Sequence, residues 1–343
     1  MEVTSPSFIL SMERRRKQLP SYPDCLLFLT CRSLVSAPFI SIVRQLIFII
    51  NRCERVKIML KISRLFALYF ILQCVIFAYG QTRPSLDSNA AQLVIGETFT
   101  IDSKILSETR RVNVYMPPDY TKSAEARLPV LYMPDGGIGE DFLHVAGLVQ
   151  VSVGNGTMRP FLLVGIENTE RRRDMTGSTE NEEDKKIAPR VGGAGAFRKF
   201  IRDELMPEVK RRYRTTDEKA IVGESLAGLF IVETFLLEPD LFDTYIAFDP
   251  SLWWNNQKLV NSVAAQRLRA NPKLNKTLYF ASSGDKGVRE ITQPLADVLG
   301  KNAPAGVKWH YEKMPDEKHS TIYHPAALKA FRVVFKLDAS ERK

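Results

Sequence analysis

The sequence predicts an α/β fold, built on a mostly parallel twisted sheet with helices on both faces. Short, wholly apolar segments such as residues 128–133 and 161–166 have the composition of strands that are buried on both faces. They alternate with longer segments whose apolar residues recur at helical spacing, as in residues 196–213. This alternation predicts crossover connections, which place helices on both faces of a parallel sheet.

The elements follow one another along the chain in a regular order. Eight segments are predicted strands: residues 98–102, 111–116, 128–133, 161–166, 219–222, 245–248, 278–281 and 307–311. Five segments are predicted helices: residues 196–213, 226–237, 260–268, 290–299 and 326–335. Pro207 lies inside the first of these helices and predicts a kink there.

A basic and then apolar stretch precedes the predicted domain. Lys61 and Arg64 lead into the apolar run 65–79, and a small-x-small cleavage pattern precedes Gln81. This order is typical of a secretory signal peptide, and the run is shorter than the roughly 20 residues of a membrane span. We therefore expect a signal peptide at residues 59–80 and no stable membrane insertion after cleavage. An uncleaved anchor is the alternative.

The domain organisation follows from this boundary. Residues 1–58 mix basic clusters with apolar fragments and have no sustained period. We interpret translation as starting at Met59, so that residues 1–58 are a start-site artefact; a genuine cytoplasmic or membrane-associated tail is the alternative. Residues 81–343 are expected to form one α/β domain that is periplasmic or secreted.

Charge and cysteine usage exclude several kinds of function. Most of the net charge of +9 lies in the first 80 residues, and the remainder is close to neutral, so we expect no nucleic-acid partner. All four cysteines precede Gln81, which excludes disulfides, thiol catalysis and cysteine-ligated metals from the predicted domain. The composition leaves the oligomeric state open.

Residues 221–228, Ile-Val-Gly-Glu-Ser-Leu-Ala-Gly, form the most informative stretch of the sequence. An apolar strand breaks at a glycine, presents Ser225 and continues into an apolar helix, which is the pattern of the nucleophile elbow of α/β-hydrolases. The backbone N–H of Leu226 would then help to hold an oxyanion. The alternative is an ordinary strand-to-helix junction in which Ser225 caps the helix.

A serine nucleophile needs a general base, and the sequence contains four histidines. His319 lies in a loop after the last predicted strand and before the last helix, which is where α/β-hydrolases carry their base. His144 lies on an early helix, His310 lies inside a strand, and His324 starts the final helix. We therefore predict His319 as the base and structural roles for the others.

The acid and the second oxyanion donor are expected in loops that follow strands. Asp285 is the first carboxylate after the strand 278–281, with Glu290 and Asp316 as rivals. Gly136, after the strand 128–133, would let the backbone approach an oxyanion closely, and each such donor is worth roughly 3–4 kcal/mol.

Three further features concern the substrate. Trp253 and Trp254 follow a strand end and could form a wall of the substrate pocket or simply pack in the core. The charged segment 167–195 is expected as a surface loop near the site. Within it, residues 171–173 are three arginines that could meet an anionic substrate or form a solvated charge run.

These residues carry a resemblance to the Putative esterase family of α/β-hydrolases, the group that holds esterase D and the siderophore esterases. The stretches that resemble it are residues 128–137, 164–176, 197–213, 223–230 and 249–255. The Arg-Arg-Asp-Met-Thr and Pro-Ser-Leu-Trp-Trp runs are typical of the siderophore-esterase-like branch. The resemblance implies that Ser225 is the nucleophile and His319 the base. The resemblance leaves the acid open, because the acid varies in this branch and some members are expected to work with a Ser–His dyad alone. The sequence also departs from the family pattern at Glu224, which stands where the family usually has a histidine before the serine.

The sequence as a whole predicts an exported serine esterase that hydrolyses small-molecule carboxylic esters through an acyl-enzyme, with no metal or cofactor. Siderophore esters are one candidate substrate class. An acyltransferase on the same triad, or a catalytically silent binding module with this fold, is the alternative.

Overall fold

The computed structural model describes residues 91–337 and, upstream of them, the helical residues 63 and 68–70. The chain divides into two units, residues 1–92 and 93–343, and the fold described below belongs to the second. The predicted extension and nearly all of the predicted signal peptide lie outside the described residues. Among the helices that are described, none is both long enough and apolar enough to cross a membrane.

One eight-stranded sheet forms the centre of this unit. Its strands are β1 (Glu97–Ser103), β2 (Glu108–Tyr115), β3 (Leu128–Pro134), β4 (Leu162–Ile166), β5 (Thr215–Glu224), β6 (Thr244–Phe248), β7 (Thr277–Ser283) and β8 (Lys308–Met314). They lie in the order β1-β2-β4-β3-β5-β6-β7-β8. Strands β1 and β2 pair antiparallel with each other, and β2 pairs antiparallel with β4. The remaining pairs are parallel, so the predicted mostly parallel sheet is confirmed.

The longer helices cover the sheet, and short ones lie in its loops. They are α1 (Pro118–Lys122), α2 (Phe142–Gly154), α3 (Arg171–Asp174), α4 (Glu182–Lys185), α5 (Ala194–Phe200), α6 (Met206–Arg212), α7 (Leu226–Leu237), α8 (Ala264–Ala270), α9 (Lys286–Asn302) and α10 (Tyr323–Val334). A π-helical turn at Ile201–Leu205 joins α5 to α6, and Pro207 lies in the first turn of α6. The wider π turn lies where the proline would otherwise disturb a regular helix.

Two apolar layers enclose the sheet because its strands alternate their side chains between faces. In β3 every residue is buried. Val130 and Tyr132 pack in the layer that contains α5 and α7, whereas Leu131 and Met133 pack in the layer that contains α2 and α10. Parallel strands end at one edge of a sheet, so β5 to β8 bring the loops that follow them to a common edge.

Candidate active site

Ser225 stands at the turn between β5 and α7 in a strained backbone conformation. Its φ is 61° and its ψ is −118°, in a region that residues with a side chain rarely adopt. The Ser225 N–H donates to the Phe248 carbonyl at 2.9 Å, and its carbonyl accepts from the N–H groups of Leu229 at 2.9 Å and Ser251 at 3.0 Å. The turn is thereby held from three sides, and it has the form that the sequence predicted for a nucleophile elbow.

Small residues allow this turn because its backbones nearly touch. A Cβ placed on Gly223 would lie 2.6 Å from the Ala227 Cβ, and one on Gly228 would lie 3.0 Å from the Phe248 carbonyl oxygen. The spacing of small residues in this stretch therefore follows from the close passage of α7 over β5 and β6.

The structure brings Ser225 and His319 together as predicted. His319 lies in the loop between β8 and α10, and its Nε2 is 3.1 Å from the Ser225 Oγ. Its Nδ1 is 3.1 Å from the Oδ2 of Asp249. The three side chains form a continuous line from nucleophile to carboxylate, with the geometry of a Ser-His-Asp triad.

Asp249 was not among the acids considered from the sequence. It directly follows β6, its side chain is 0% exposed, and its Oδ1 accepts the Ser283 N–H at 2.6 Å. Its φ of 39° turns the chain sharply at the end of the strand. The sequence contained a signal for it, since Asp249 follows a buried strand at the edge that carries Ser225, but only strand order shows that β6 lies next to β5.

Asp285 is therefore corrected as the ring partner. Its Oδ2 accepts the backbone N–H of His319 at 2.7 Å, so it holds the loop rather than the imidazole. The loop passes close to β7, because a Cβ on Gly284 would lie 2.0 Å from the Pro315 carbonyl oxygen. The rivals Glu290 and Asp316 are exposed.

The two predicted oxyanion donors differ in their availability. Leu226 is the first residue of α7, so its N–H has no intrahelical acceptor, and the residue lines the pocket at Ser225. The Gly136 N–H instead donates to the Ile166 carbonyl at 2.9 Å, which extends the β3–β4 ladder and corrects that assignment. Glycine is required there because a Cβ would lie 2.2 Å from the Ile166 nitrogen.

A cavity of about 500 Å³ opens over the nucleophile, and Ser225, Asp249 and His319 are among its lining residues. Trp253 lines it as well and is 40% exposed. Trp254 is 3% exposed and donates its Nε1–H to the Gly177 carbonyl at 3.0 Å, so it belongs to the core rather than to the pocket wall.

Two arginines of the predicted entrance loop line the same cavity. Arg171 is held in place, because its Nε and Nη2 donate to the two carboxylate oxygens of Asp135 at 2.6 and 2.8 Å. The exposed side chain of Arg172 has no carboxylate partner within the part of the chain that the structure describes. Arg172 thus presents an uncompensated positive charge to the pocket. Arg173 pairs with Glu108 and Asp174 and anchors the segment.

Charged groups around the ring change the titration of the site. Hydrogen bonding to Asp249 raises the pKa of His319, and the negative charges of Glu224 and Asp285 add to the effect, while burial opposes it. The carboxylate of Glu224 lies 3.3 Å from the same Nδ1. Burial raises the pKa of Glu224 to about 7, with Asp249 contributing in the same direction.

Glu224, Asp249 and His319 also form the one group of potential metal ligands found in the described residues, with ligand atoms within 4.8 Å of one another. The carboxylate oxygens of Glu224 and Asp249 in this group are the ones that contact the Nδ1 of His319. A cation at this position would therefore compete with the hydrogen bonds of the triad. The other three histidines lie away from this group: His144 packs edge-on against Tyr323 and lies near His324, and His310 pairs with Glu312.

Comparison with known proteins places this arrangement in a wider group. The sequence profile described as Putative esterase matches residues 103–327. The chain is 27% identical to the ferri-bacillibactin esterase BesA of Bacillus subtilis, over 66% of this chain and 85% of the relative. The crystal structure of an IroE-like serine hydrolase from Shewanella oneidensis superposes with a TM-score of 0.63 at 28% identity, covering 71% of this chain and 82% of the other. The BES protein from Bacillus cereus shares the fold, with a TM-score of 0.64 at 20% identity over 74% of this chain and 100% of that chain.

Proposed function

The chain belongs to the Putative esterase family and is a serine carboxylic-ester hydrolase, and from this premise we propose that it works outside the cytoplasm through an acyl-enzyme on Ser225. The observation that carries the mechanism is the line of contacts from the Ser225 Oγ through both nitrogens of His319 to Asp249.

Acylation would begin at the serine. The Ser225 Oγ attacks the ester carbonyl carbon while its proton passes to the Nε2 of His319. Asp249 accepts the Nδ1–H, which keeps the ring in the required tautomer and stabilises the imidazolium. Collapse of the tetrahedral intermediate breaks the ester bond, and the leaving alcohol takes the proton from Nε2.

Deacylation would follow the same path with water. A water molecule attacks the acyl carbon and gives a proton to His319, and the second collapse returns that proton to the Ser225 Oγ and releases the acid. In both halves the oxyanion would accept the N–H of Leu226, at the N-terminus of α7, where the helix dipole also favours negative charge.

We propose a siderophore ester as the substrate, by analogy with the related ferri-bacillibactin esterase of Bacillus subtilis. Iron-chelating groups are oxygen donors that carry negative charge, and such groups need cationic partners in a binding site. Arg172 offers a guanidinium in the cavity that no carboxylate of the described residues neutralises, and Trp253 offers an exposed aromatic face. The cavity of about 500 Å³ falls within the usual range for small-molecule sites.

Export remains part of the proposal because of the sequence alone. Lys61, Arg64 and the apolar run 65–79 have the order of charge and hydropathy that a signal peptide needs.

A fluorophosphonate probe tests the chemistry directly. The wild-type protein should be labelled at Ser225, and Ser225→Ala should lose both labelling and hydrolysis while keeping its circular dichroism spectrum. His319→Ala should lower hydrolysis by several orders of magnitude, because triad members act as one unit. Ser262→Ala is the matched control, since Ser262 is an exposed serine that does not line the cavity. An unlabelled wild-type protein would indicate a silent binding module.

The same preparation identifies the substrate class. Hydrolysis should be compared for a siderophore ester, a carbohydrate acyl ester and a short-chain acyl ester. The proposal expects the largest kcat/KM for the siderophore ester. Equal values for all three would contradict the proposed substrate but not the esterase activity.

A further inference from the structure

Two carboxylates converge on one nitrogen in this site. The Oδ2 of Asp249 lies 3.1 Å from the Nδ1 of His319, and the Oε1 of Glu224 lies 3.3 Å from it. This second carboxylate belongs to the residue directly before the nucleophile, at the end of β5. The Oε1 of Glu224 is enclosed and has no hydrogen-bond partner among the residues that the structure describes.

The two carboxylates are held differently. Asp249 is fully buried and anchored by the Ser283 N–H, so its orientation is set by the backbone. The side chain of Glu224 is 16% exposed, and no comparable donor anchors its Oε1. One Nδ1–H can be directed at only one acceptor at a time, so Asp249 is the primary acceptor and Glu224 stands within reach as a second.

We propose that Glu224 is a positioning residue that shares with Asp249 the task of accepting the Nδ1–H of His319. This inference rests on the proposed function, since it concerns the same general base. A buried acceptor without a hydrogen-bond partner costs folding free energy, and a catalytic role is one explanation for such a group. Here it would add a second negative charge next to the imidazolium that forms in each half-reaction, and it would keep the ring oriented when Asp249 is lost.

Several other charged or titratable groups face this pair. The charges of Arg171 and Asp141 act on Glu224, and the charge of Asp285 acts on His319. Burial raises the pKa of Tyr323, and the charge of Glu224 adds to that effect. These are the groups that any pH profile must include. The raised pKa of Glu224, about 7, means that its charge appears across the neutral range. Its contribution should therefore be largest above about pH 7 and should weaken in acid.

The first test is the pH dependence of kcat/KM, whose acidic limb reports the base of the free enzyme. Glu224→Gln keeps the shape of the side chain and removes its charge, so the limb should move to lower pH by about one unit. One full charge at this separation gives about that shift in water, and the lower effective dielectric of an enclosed site would enlarge it. Glu290→Gln is the matched control, because Glu290 is an exposed glutamate that pairs with Lys286 and does not line the cavity, so its loss should leave the limb in place.

The second test separates a shared role from a merely structural one. The Asp249→Ala variant should retain part of the wild-type kcat. Adding Glu224→Gln to this variant should lower kcat by a factor at least about ten times larger than Glu224→Gln does in the wild-type protein. If Glu224→Gln does not fold, Glu224→Met serves as the second uncharged variant in both measurements. A structural role alone would lower activity equally at every pH and leave the acidic limb unmoved.

The two proposals fail in different ways. Activity that survives Ser225→Ala would overturn the proposed mechanism. The role of Glu224 would be overturned if activity depends on Ser225 but two results fail. In the first, the acidic limb of kcat/KM for Glu224→Gln coincides with that of the wild type. In the second, the double variant loses only the product of the two single losses.

Discussion

Replacing Glu224 by glutamine should change the stability of the protein in a pH-dependent way. The carboxylate is largely enclosed between the end of β5 and the His319 loop, and burial raises its pKa from 4.5 to about 7. A carboxyl group whose pKa is higher in the folded than in the unfolded protein lowers the free energy of unfolding once the pH is high enough to ionise it. Its ionisation at neutral pH therefore opposes folding.

The sign and the size both follow from these two pKa values. Below about pH 4.5 the group is protonated in both states, and it contributes no difference. Between about pH 4.5 and pH 7 the unfolded chain loses the proton first, so the free energy of unfolding falls as the pH rises. Each unit between the two pKa values corresponds to about 1.4 kcal/mol, so the loss above about pH 7 is on the order of 3 kcal/mol.

Urea denaturation at about pH 4.5 and at about pH 8.5 measures this effect. The free energy of unfolding of Glu224→Gln minus that of the wild type should be about 3 kcal/mol larger at the higher pH than at the lower pH. Groups that titrate in both proteins, such as His319, cancel in that comparison except for their coupling to Glu224. The exposed control Glu290→Gln should show the same difference at both pH values. The reasoning would be refuted if the wild type and Glu224→Gln differed in free energy of unfolding by the same amount at both pH values.

The remaining predictions concern the substrate, the loop of the base and the N-terminus. Arg172→Ala should raise the KM for an anionic ester about tenfold and leave the KM for a neutral ester unchanged, because the guanidinium is unpaired in the described part of the chain. Equal increases in KM for both esters would argue against a role of Arg172 in recognition. Asp285→Asn should lower kcat less than Ser225→Ala does, since Asp285 holds the His319 backbone rather than its ring, and steady-state kinetics at saturating ester distinguishes the two. A protein that begins at Gln81 should fold and hydrolyse esters as well as the full chain, and intact-mass measurement of the exported protein should give an N-terminus near that residue; a mature species that keeps residues 1–58 would show the opposite.

The sequence alone predicted most of the fold. All eight strands lie where strands were predicted, with ends that differ by a few residues, and the turn at Ser225 follows from the small residues around it. Helix α2 and the short helices α1, α3 and α4 were not predicted as bounded elements. Helices α3 and α4 are single turns in a charged segment, and they depend on tertiary contacts such as those of Arg173 with Glu108.

The structure brings the predicted residues together where position along the chain determines their placement. A serine on a strand-to-helix turn and a histidine after the last strand are local patterns, and the structure places their side chains 3.1 Å apart. Trp253 and the predicted entrance loop reach the same cavity. These features depend on elements that carry their own sequence signal.

Only the tertiary structure decided which carboxylate meets the ring and which backbone donors are free. Asp249 and Asp285 both follow parallel strands, and they are distinguished by the order of β6 and β7 beside β5 and by the path of the His319 loop. Gly136 lost its predicted role because strand pairing with β4 takes its N–H. The convergence of Glu224 on Nδ1 has the same origin: distances of about 3 Å between residues far apart in sequence are set by packing, and no local pattern encodes them.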